Sequence, residues 1–369
     1  MPLAAVMTAP EKSIEVQSLP ACPVEEGGIL LQTVFSEVCG TDVHLHRGRL
    51  SGVPYPIIPG HVSVGRVIKT GGLVRDFNGN PIDIGSMVTF LDVHETCNNC
   101  WYCLVAKAST RCPNRKVYGI TYSAHEGLLG GWSEQIYLKP GVKILKLPPN
   151  LPARRLIAGG CGLPTAIHVV ERAEIRLGDL VAVQGSGPVG LNVVILAILS
   201  GAGGVMVLGD PTNRLETASE FGADEVLWVS QTSPSGRVDR VRAWSGGRGA
   251  DITIEATGAA DAVKEGLQMT RDGGRYVIAG QYTDAGEVSI NPHWDINKKH
   301  LDIRGCWGYD FSHFHRAICI LSKYGERVGW ERMISREYTL SEMDTALTDV
   351  EAGSVVKAVV TPNPVSLNL

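Results

Sequence analysis

The stretch LVAVQGSGPVGLNVVILAILSGAGGVMVLGD, residues 180–210, decides the fold. LVAVQ is a β-branched run of strand length, and VGLNVVILAIL behind it is an apolar helix. Between them Gly185-Ser186-Gly187-Pro188-Val189-Gly190 forms a GxGxxG turn, and VMVLGD makes a second strand that ends at Asp210, twenty residues after Gly190. Glycines in a strand-to-helix turn permit a tight reversal and let the backbone approach a pyrophosphate, whose charge the helix amino terminus favours. A carboxylate closing the second strand accepts hydrogen bonds from the adenosine ribose hydroxyls and repels a 2′-phosphate, so Asp210 predicts NAD rather than NADP. Arg214, four residues further on, is a candidate flank for the adenine or ribose.

Outward from this unit the strand-and-helix alternation continues through EVLWVS, DITIEA, RYVIAG and LDIRGCW, which with the first two runs makes six strands of a doubly wound parallel sheet. Before Leu151 the texture differs. IEVQSL, ILLQTVF, VSVGRVIKT, SMVTFLDV, SEQIYL and VKILKLP are short β-like runs broken by Gly and Pro, which predicts a mostly antiparallel, partly barrel-like domain. Asn78-Gly79 reads as the turn of a hairpin between two of these strands. After Trp307 a helical stretch, FSHFHRAICILSKYG, and a strand-like VVKAVVT follow. The fold class is therefore α/β, a doubly wound sheet joined to an antiparallel β domain.

At 369 residues the chain is long enough for two domains, and 44% hydrophobic with 20% charged residues is a globular composition. The net charge of −4, without a Lys/Arg block, argues against a nucleic-acid partner. The amino terminus carries no basic leader with an apolar core, and Val193–Leu199 is too short an apolar run to span a bilayer, so a cytoplasmic enzyme without a membrane partner is expected. Nine cysteines, an odd and clustered set, suit metal binding in a reducing compartment.

Four of them lie in HETCNNCWYCLVAKASTRC, residues 94–112. Cys97, Cys100 and Cys103 repeat the CxxC register, and with Cys112 they could close tetrahedrally on one zinc ion with no position left open, a structural site. Two disulfides or four unrelated thiols are the alternative. Further Cys and His residues stand in CGTDVH (39–44), PGH (59–61) and GGCGLPTA (159–166).

On these motifs, in this order with the lobe and GSGPVG, the chain resembles the zinc-dependent medium-chain alcohol dehydrogenase family over essentially its whole length. The resemblance implies a GroES-like catalytic domain over residues 1–158 with the zinc lobe at 94–112, an NAD-binding Rossmann domain over 159–305, and a segment, 306–369, that returns to the catalytic domain. It implies two zinc ions per subunit, the second held by Cys39, His61 and Cys161 with a fourth position open for Lewis-acid chemistry. It further implies a proton route from the Thr41 hydroxyl to His44, and Asp42 as the carboxylate that receives the other ring N–H of His61. A role for Asp42 as a helix cap fits the same position. Thr165 is expected beside the nicotinamide, and Lys357 near the pyrophosphate. The chain departs from the family's pattern in two places: Val62 stands where a Glu commonly follows the ligand histidine, and eight residues rather than seven precede Cys112.

The resemblance implies an alcohol or ketone substrate. Val93, where some relatives have an aromatic residue that narrows the pocket, leaves room for a bulky secondary or cyclic alcohol. Trp132, Trp307 and Tyr309 are candidate apolar walls. HEGLLGGWSEQIY and the Trp101-Tyr102 insert are similar to bacterial dehydrogenases of cyclic terpenoid alcohols. A polyol or sugar-alcohol dehydrogenase, or a non-catalytic relative, are the alternatives. A homodimer or homotetramer, paired along LDIRGCW, is expected.

Overall fold

The computed structural model describes residues 1–363. Contacts divide the chain into two units, Met1–Gly160 together with Asp310 onward, and Cys161–Tyr309. The boundaries expected from the sequence, 158 and 305, fall two and four residues before these. The chain leaves the first unit at Gly160, which ends a helix (α2, below), and re-enters at Asp310, whose side chain caps another by accepting the Ser312 and His313 amides.

In the first unit β1 (Leu3–Val6) pairs antiparallel with β2 (Glu15–Ser18). The strands β3 (Ile29–Val38), β4 (Ser63–Thr70), β5 (Met87–Phe90), β6 (Gln135–Leu138) and β7 (Ile144–Lys146) build an antiparallel sheet in the order β3-β4-β5-β7, with β6 on β3. β3 is buried along most of its ten residues because it pairs with several neighbours, which explains why ILLQTVF is an unbroken rather than an alternating run. It delivers Cys39 to the start of a short helix, α1 (Gly40–His46). Helix α2 (Ala153–Gly159) closes this part of the chain. β1 was not marked by the sequence pattern; LAAV is short, and three of its residues are buried. Asn78-Gly79 does form a tight turn, held by Asp76 Oδ1 accepting the Asn78 and Asn80 amides, and its flanks make a short antiparallel hairpin through the Arg75–Pro81 bridge, the Asp76 amide donating to the Asn80 carbonyl and the Ile82 amide donating to the Val74 carbonyl.

The second unit begins with α3 (Gly162–Ala173). Its sheet contains β8 (Leu180–Gln184), β9 (Gly204–Gly209), β10 (Glu225–Trp228), β11 (Ala250–Glu255), β12 (Thr270–Ile278) and β13 (Asp302–Gly305), all parallel, in the order β10-β9-β8-β11-β12-β13. The order reverses between β8 and β11, which is the crevice a doubly wound sheet offers a ligand at its carboxyl edge. Helix α4 (Pro188–Leu199) is buried from Gly190 to Ala197, so its all-round apolar sequence is a core pattern.

The chain then returns to the first unit through α5 (Phe311–Val328), β14 (Ile334–Tyr338) and β15 (Lys357–Val360). β15 pairs antiparallel with β3, setting Ala358 opposite Val38 and Val360 opposite Ser36. A sheet strand from the end of the chain thereby fixes the strand that carries Cys39. The core here includes Val38, Ile57, Ile58, Trp132, Tyr338 and Val360. Among the described residues no helix is long and apolar enough to cross a membrane.

Candidate active site and metal centres

The nucleotide site is built within the second unit. β8 ends at Gln184, and Gly185 turns the chain with φ +113°, a backbone region that favours glycine. Gly187 is the N-cap of α4, and Pro188 follows at the first helical position, where its missing N–H costs nothing. A Cβ at Gly187 would meet nothing within 4 Å, whereas one at Gly190 would stand 2.0 Å from the Gly185 carbonyl oxygen. The first glycine therefore leaves the open cradle a pyrophosphate needs, and the last lets helix and strand approach. Val189 lies in the first turn, so the helix amino terminus faces the same cradle.

Gly185, Ser186, Gly187, Asp210 and Arg214 line one cavity of about 410 Å³. The Asp210 carboxylate accepts the Ser230 amide on one oxygen and the Ser230 hydroxyl on the other, at 2.8 and 2.9 Å. Arg237 lines the cavity too, paired with Glu265 through two hydrogen bonds of 2.7 and 2.6 Å. Nothing in the sequence marked it, because its partner lies 28 positions away and no motif joins the two. Gly190→Ala is expected to cost about 1–3 kcal/mol of stability or more from overpacking and to weaken dinucleotide binding. Thermal unfolding with and without cofactor measures both; an unchanged Tm would remove the steric role assigned to Gly190.

The four-cysteine lobe places Cys97, Cys100, Cys103 and Cys112 with their sulfurs within 4.8 Å of one another. Cys100 to Cys103 and Cys112 to Cys97 are each 3.5 Å apart, far longer than a disulfide and near the roughly 3.8 Å edge of a tetrahedral zinc–thiolate site. The sulfurs do not titrate alike: the Asn99 amide holds the Cys97 thiol below its usual range, while burial, and next the Cys100 sulfur, raise Cys103. Four thiolates this close need a cation among them, so the donor set fits zinc.

At the first unit's other cluster, Cys39 Sγ lies 3.9 Å from His61 Nε2, close to the roughly 3.6 Å between sulfur and nitrogen ligands of one tetrahedral zinc. Cys161, one peptide bond past Gly160, completes a set whose ligand atoms all fall within 4.8 Å of one another. Burial on its own lowers the His61 pKa, but the Cys39 sulfur more than offsets this and raises it to about 10. A divalent cation held by these donors would bind His61 as the neutral imidazole, with loss of that proton. His61 Nδ1 is buried without a hydrogen-bond partner among the described residues.

That orphan nitrogen corrects the expectation for Asp42. The carboxylate does not receive the His61 N–H; its oxygens accept the Cys39 amide at 2.8 Å and the Gly60 amide at 3.5 Å, so it caps α1 and ties it to the segment before His61. Burial, followed by the Cys39 sulfur, pushes the Asp42 carboxyl well above the usual range. Thr41 and His44 lie three residues apart on α1 and so share a face. Burial, then Arg49, lowers the His44 pKa and keeps the imidazole neutral at neutral pH.

Two further expectations are corrected. Lys357 is not a pyrophosphate ligand; it is fully buried in β15 and its Nζ pairs with Glu37 of β3 at 2.5 Å. Trp132 is a core residue: it is fully buried, and its Nε1–H is donated to the Glu37 carbonyl. Val93 forms an isolated bridge with Val117, Trp307 stacks on Tyr282 at 5.5 Å, and Tyr309 is buried. The Thr165 hydroxyl bonds to the Cys161 carbonyl in the first turn of α3.

Comparison with known proteins agrees with this geometry. The family described as alcohol dehydrogenase GroES-like domain matches residues 25–149, and that described as zinc-binding dehydrogenase matches residues 188–323. The chain is 33% identical to 5-exo-hydroxycamphor dehydrogenase of Pseudomonas putida, over 97% of this chain and 98% of that one. It is also 33% identical to the solved structure of an alcohol dehydrogenase from Thermotoga maritima, with a TM-score of 0.92 and coverage of 98% and 99%. A zinc-binding dehydrogenase from Sinorhizobium meliloti 1021, solved bound to NADP, superposes with a TM-score of 0.85 at 27% identity, over 98% of this chain and all of that one. With both domain families matched and a third of the residues shared along nearly the whole length, the chain belongs to the zinc-type medium-chain alcohol dehydrogenases, oxidoreductases that act on small-molecule alcohols.

Proposed function

We propose that this chain oxidises a bulky secondary or cyclic alcohol to its ketone, with NAD as hydride acceptor. The observation that carries the reading is the clustering of Cys39, His61 and Cys161, three donors of which the first two are buried. These residues would hold zinc, which when bound supplies a Lewis acid that makes an alcohol proton easier to lose. The Thr41 hydroxyl takes that proton and His44, neutral because of its burial, passes it towards solvent. NAD, when bound, would accept a hydride from the substrate carbon, and with the hydroxyl proton taken at Thr41 the alcohol loses two electrons and two protons in all. Asp210 supports NAD, since its carboxylate disfavours a 2′-phosphate.

The cyclic-alcohol reading is supported by the hydroxycamphor dehydrogenase of Pseudomonas putida and by the small side chain of Val93. Pairing of two copies along the edge strand β13, where Ile303 is exposed, is proposed for a homodimer or homotetramer. A cytoplasmic setting suits nine cysteines that form no disulfide among the described residues. The test is nicotinamide reduction by the purified protein, with NAD and NADP each offered beside primary, acyclic secondary, bicyclic terpenoid and polyol alcohols. Turnover is expected to be fastest with NAD and the bicyclic secondary alcohols. Faster turnover of polyols or of primary alcohols would overturn the substrate assignment.

A further inference from the structure

The ion pair of Glu37 with Lys357 is almost completely buried, with side-chain exposures of 1% and 0%. Its neighbours are the three segments that carry the proposed metal ligands. Glu37 stands two residues before Cys39 on β3. Its amide is donated to the carbonyl of Val62, the residue after His61, at 3.0 Å. Gly160, the residue before Cys161, packs on both charges: a Cβ there would lie 2.1 Å from Glu37 Oε2 and 2.2 Å from Lys357 Nζ. Gly160 has φ +49° and ψ −147°, a conformation that favours glycine, so the turn that aims Cys161 is made against the pair. The Trp132 indole holds the Glu37 carbonyl at 3.1 Å, and the same ring packs so closely on Gly60, before His61, that a Cβ there would lie 2.5 Å from it.

A buried pair of this kind is weak as a source of stability, because desolvation offsets most of its attraction, and its better attested use is to specify geometry. We propose that Glu37–Lys357 is the positioning element of the three-ligand metal site, setting the spacing of the segments that end in Cys39, His61 and Cys161. The proposal rests on the reading of Cys39, His61 and Cys161 as a metal site.

The experiment follows zinc release to a chelator, and the cobalt(II) absorption bands of metal-exchanged protein, in the wild type and in Glu37→Gln/Lys357→Met, Gly160→Ala and Lys357→Arg. The double variant removes both charges and leaves none unpaired, so it is expected to fold. Outer contacts of metal ligands typically change affinity by about 10–100-fold, so the double variant and Gly160→Ala are expected to release one zinc at least about tenfold faster, with shifted cobalt bands. Release from the four-cysteine lobe should be unchanged, and Lys357→Arg should lie nearer the wild type. A folded double variant with wild-type release and cobalt bands overturns the proposal and leaves the metal site standing. Equal zinc content in the wild type and in Cys161→Ala overturns the metal-site reading itself. Should the double variant not fold, Glu37→Asp with Lys357→Arg tests the same spacing; unaltered release there overturns it equally.

Discussion

Cys161→Ala is expected to lower kcat/KM for alcohol oxidation by at least about a thousandfold while the four-cysteine lobe keeps its zinc. The magnitude follows from several kcal/mol of charge stabilisation assigned to a Lewis-acid metal, at about 1.4 kcal/mol per factor of ten. Cys39 and His61 remain in the variant, but two donors do not hold a zinc that a third had completed. Loss of folding is not the cause to expect. Cys161 caps α3 with φ −72° and ψ −22°, an ordinary helical conformation for alanine, and its side chain makes no capping hydrogen bond. Steady-state nicotinamide reduction and metal analysis per chain check the two halves of the statement. Retention of a tenth of the activity would remove Cys161 from the site, whatever its distance from Cys39.

The expected outcome rests on a motif, GGCGLPTA, whose neighbours were legible for different reasons. The six runs from LVAVQG to LDIRGCW all form strands of one parallel sheet because each is β-branched, short and bounded by Gly, Asp or a helix, so local pattern and burial agree. The GxGxxG turn was legible because Gly185 and Gly190 answer steric needs within a few residues while Gly187 leaves the cradle open. The four-cysteine lobe was legible because its spacing confines the sulfurs to one loop.

Contacts between distant segments were not legible. Lys357 and Glu37 are 320 positions apart, and the sequence marks Lys357 only as a cation on a strand, which is equally compatible with an anion ligand and with a buried partner. Trp132 raises the same difficulty: a large aromatic fits a pocket wall or a core, and only the bonding of the Gly131 and Trp132 amides to the Gly60 and Pro59 carbonyls decides for the core. The glycines of LLGGW are explained by that pairing, since a Cβ at Gly130 would lie 1.8 Å from the Ile58 carbonyl oxygen. Asp42 was compatible with two partners, and the helix amide won because it is only three residues away, with no ordering of another segment required.

Asp210→Asn is expected to lower kcat/KM with NAD by about a hundredfold or more and to narrow the gap to NADP. Hydrogen bonds to a charged group contribute about 1.5–3 kcal/mol each, so the loss of two to a ribose diol spans that range. The carboxylate already accepts the Ser230 amide and hydroxyl, one on each oxygen, and an ionised carboxylate has about four acceptor positions, so one on each oxygen is left for the diol. Asparagine can keep the Ser230 loop, since its oxygen accepts the amide and its nitrogen donates to the hydroxyl. What it removes is the charge and half of the acceptors facing the cavity. The penalty against a 2′-phosphate is electrostatic and falls with the charge, which predicts opposite changes for the two cofactors. A stability defect would lower both together, so the ratio of the two kcat/KM values separates the explanations. A ratio unchanged from the wild type would show that Arg214 and Arg237, the cations lining the same cavity, set the choice of cofactor in place of Asp210.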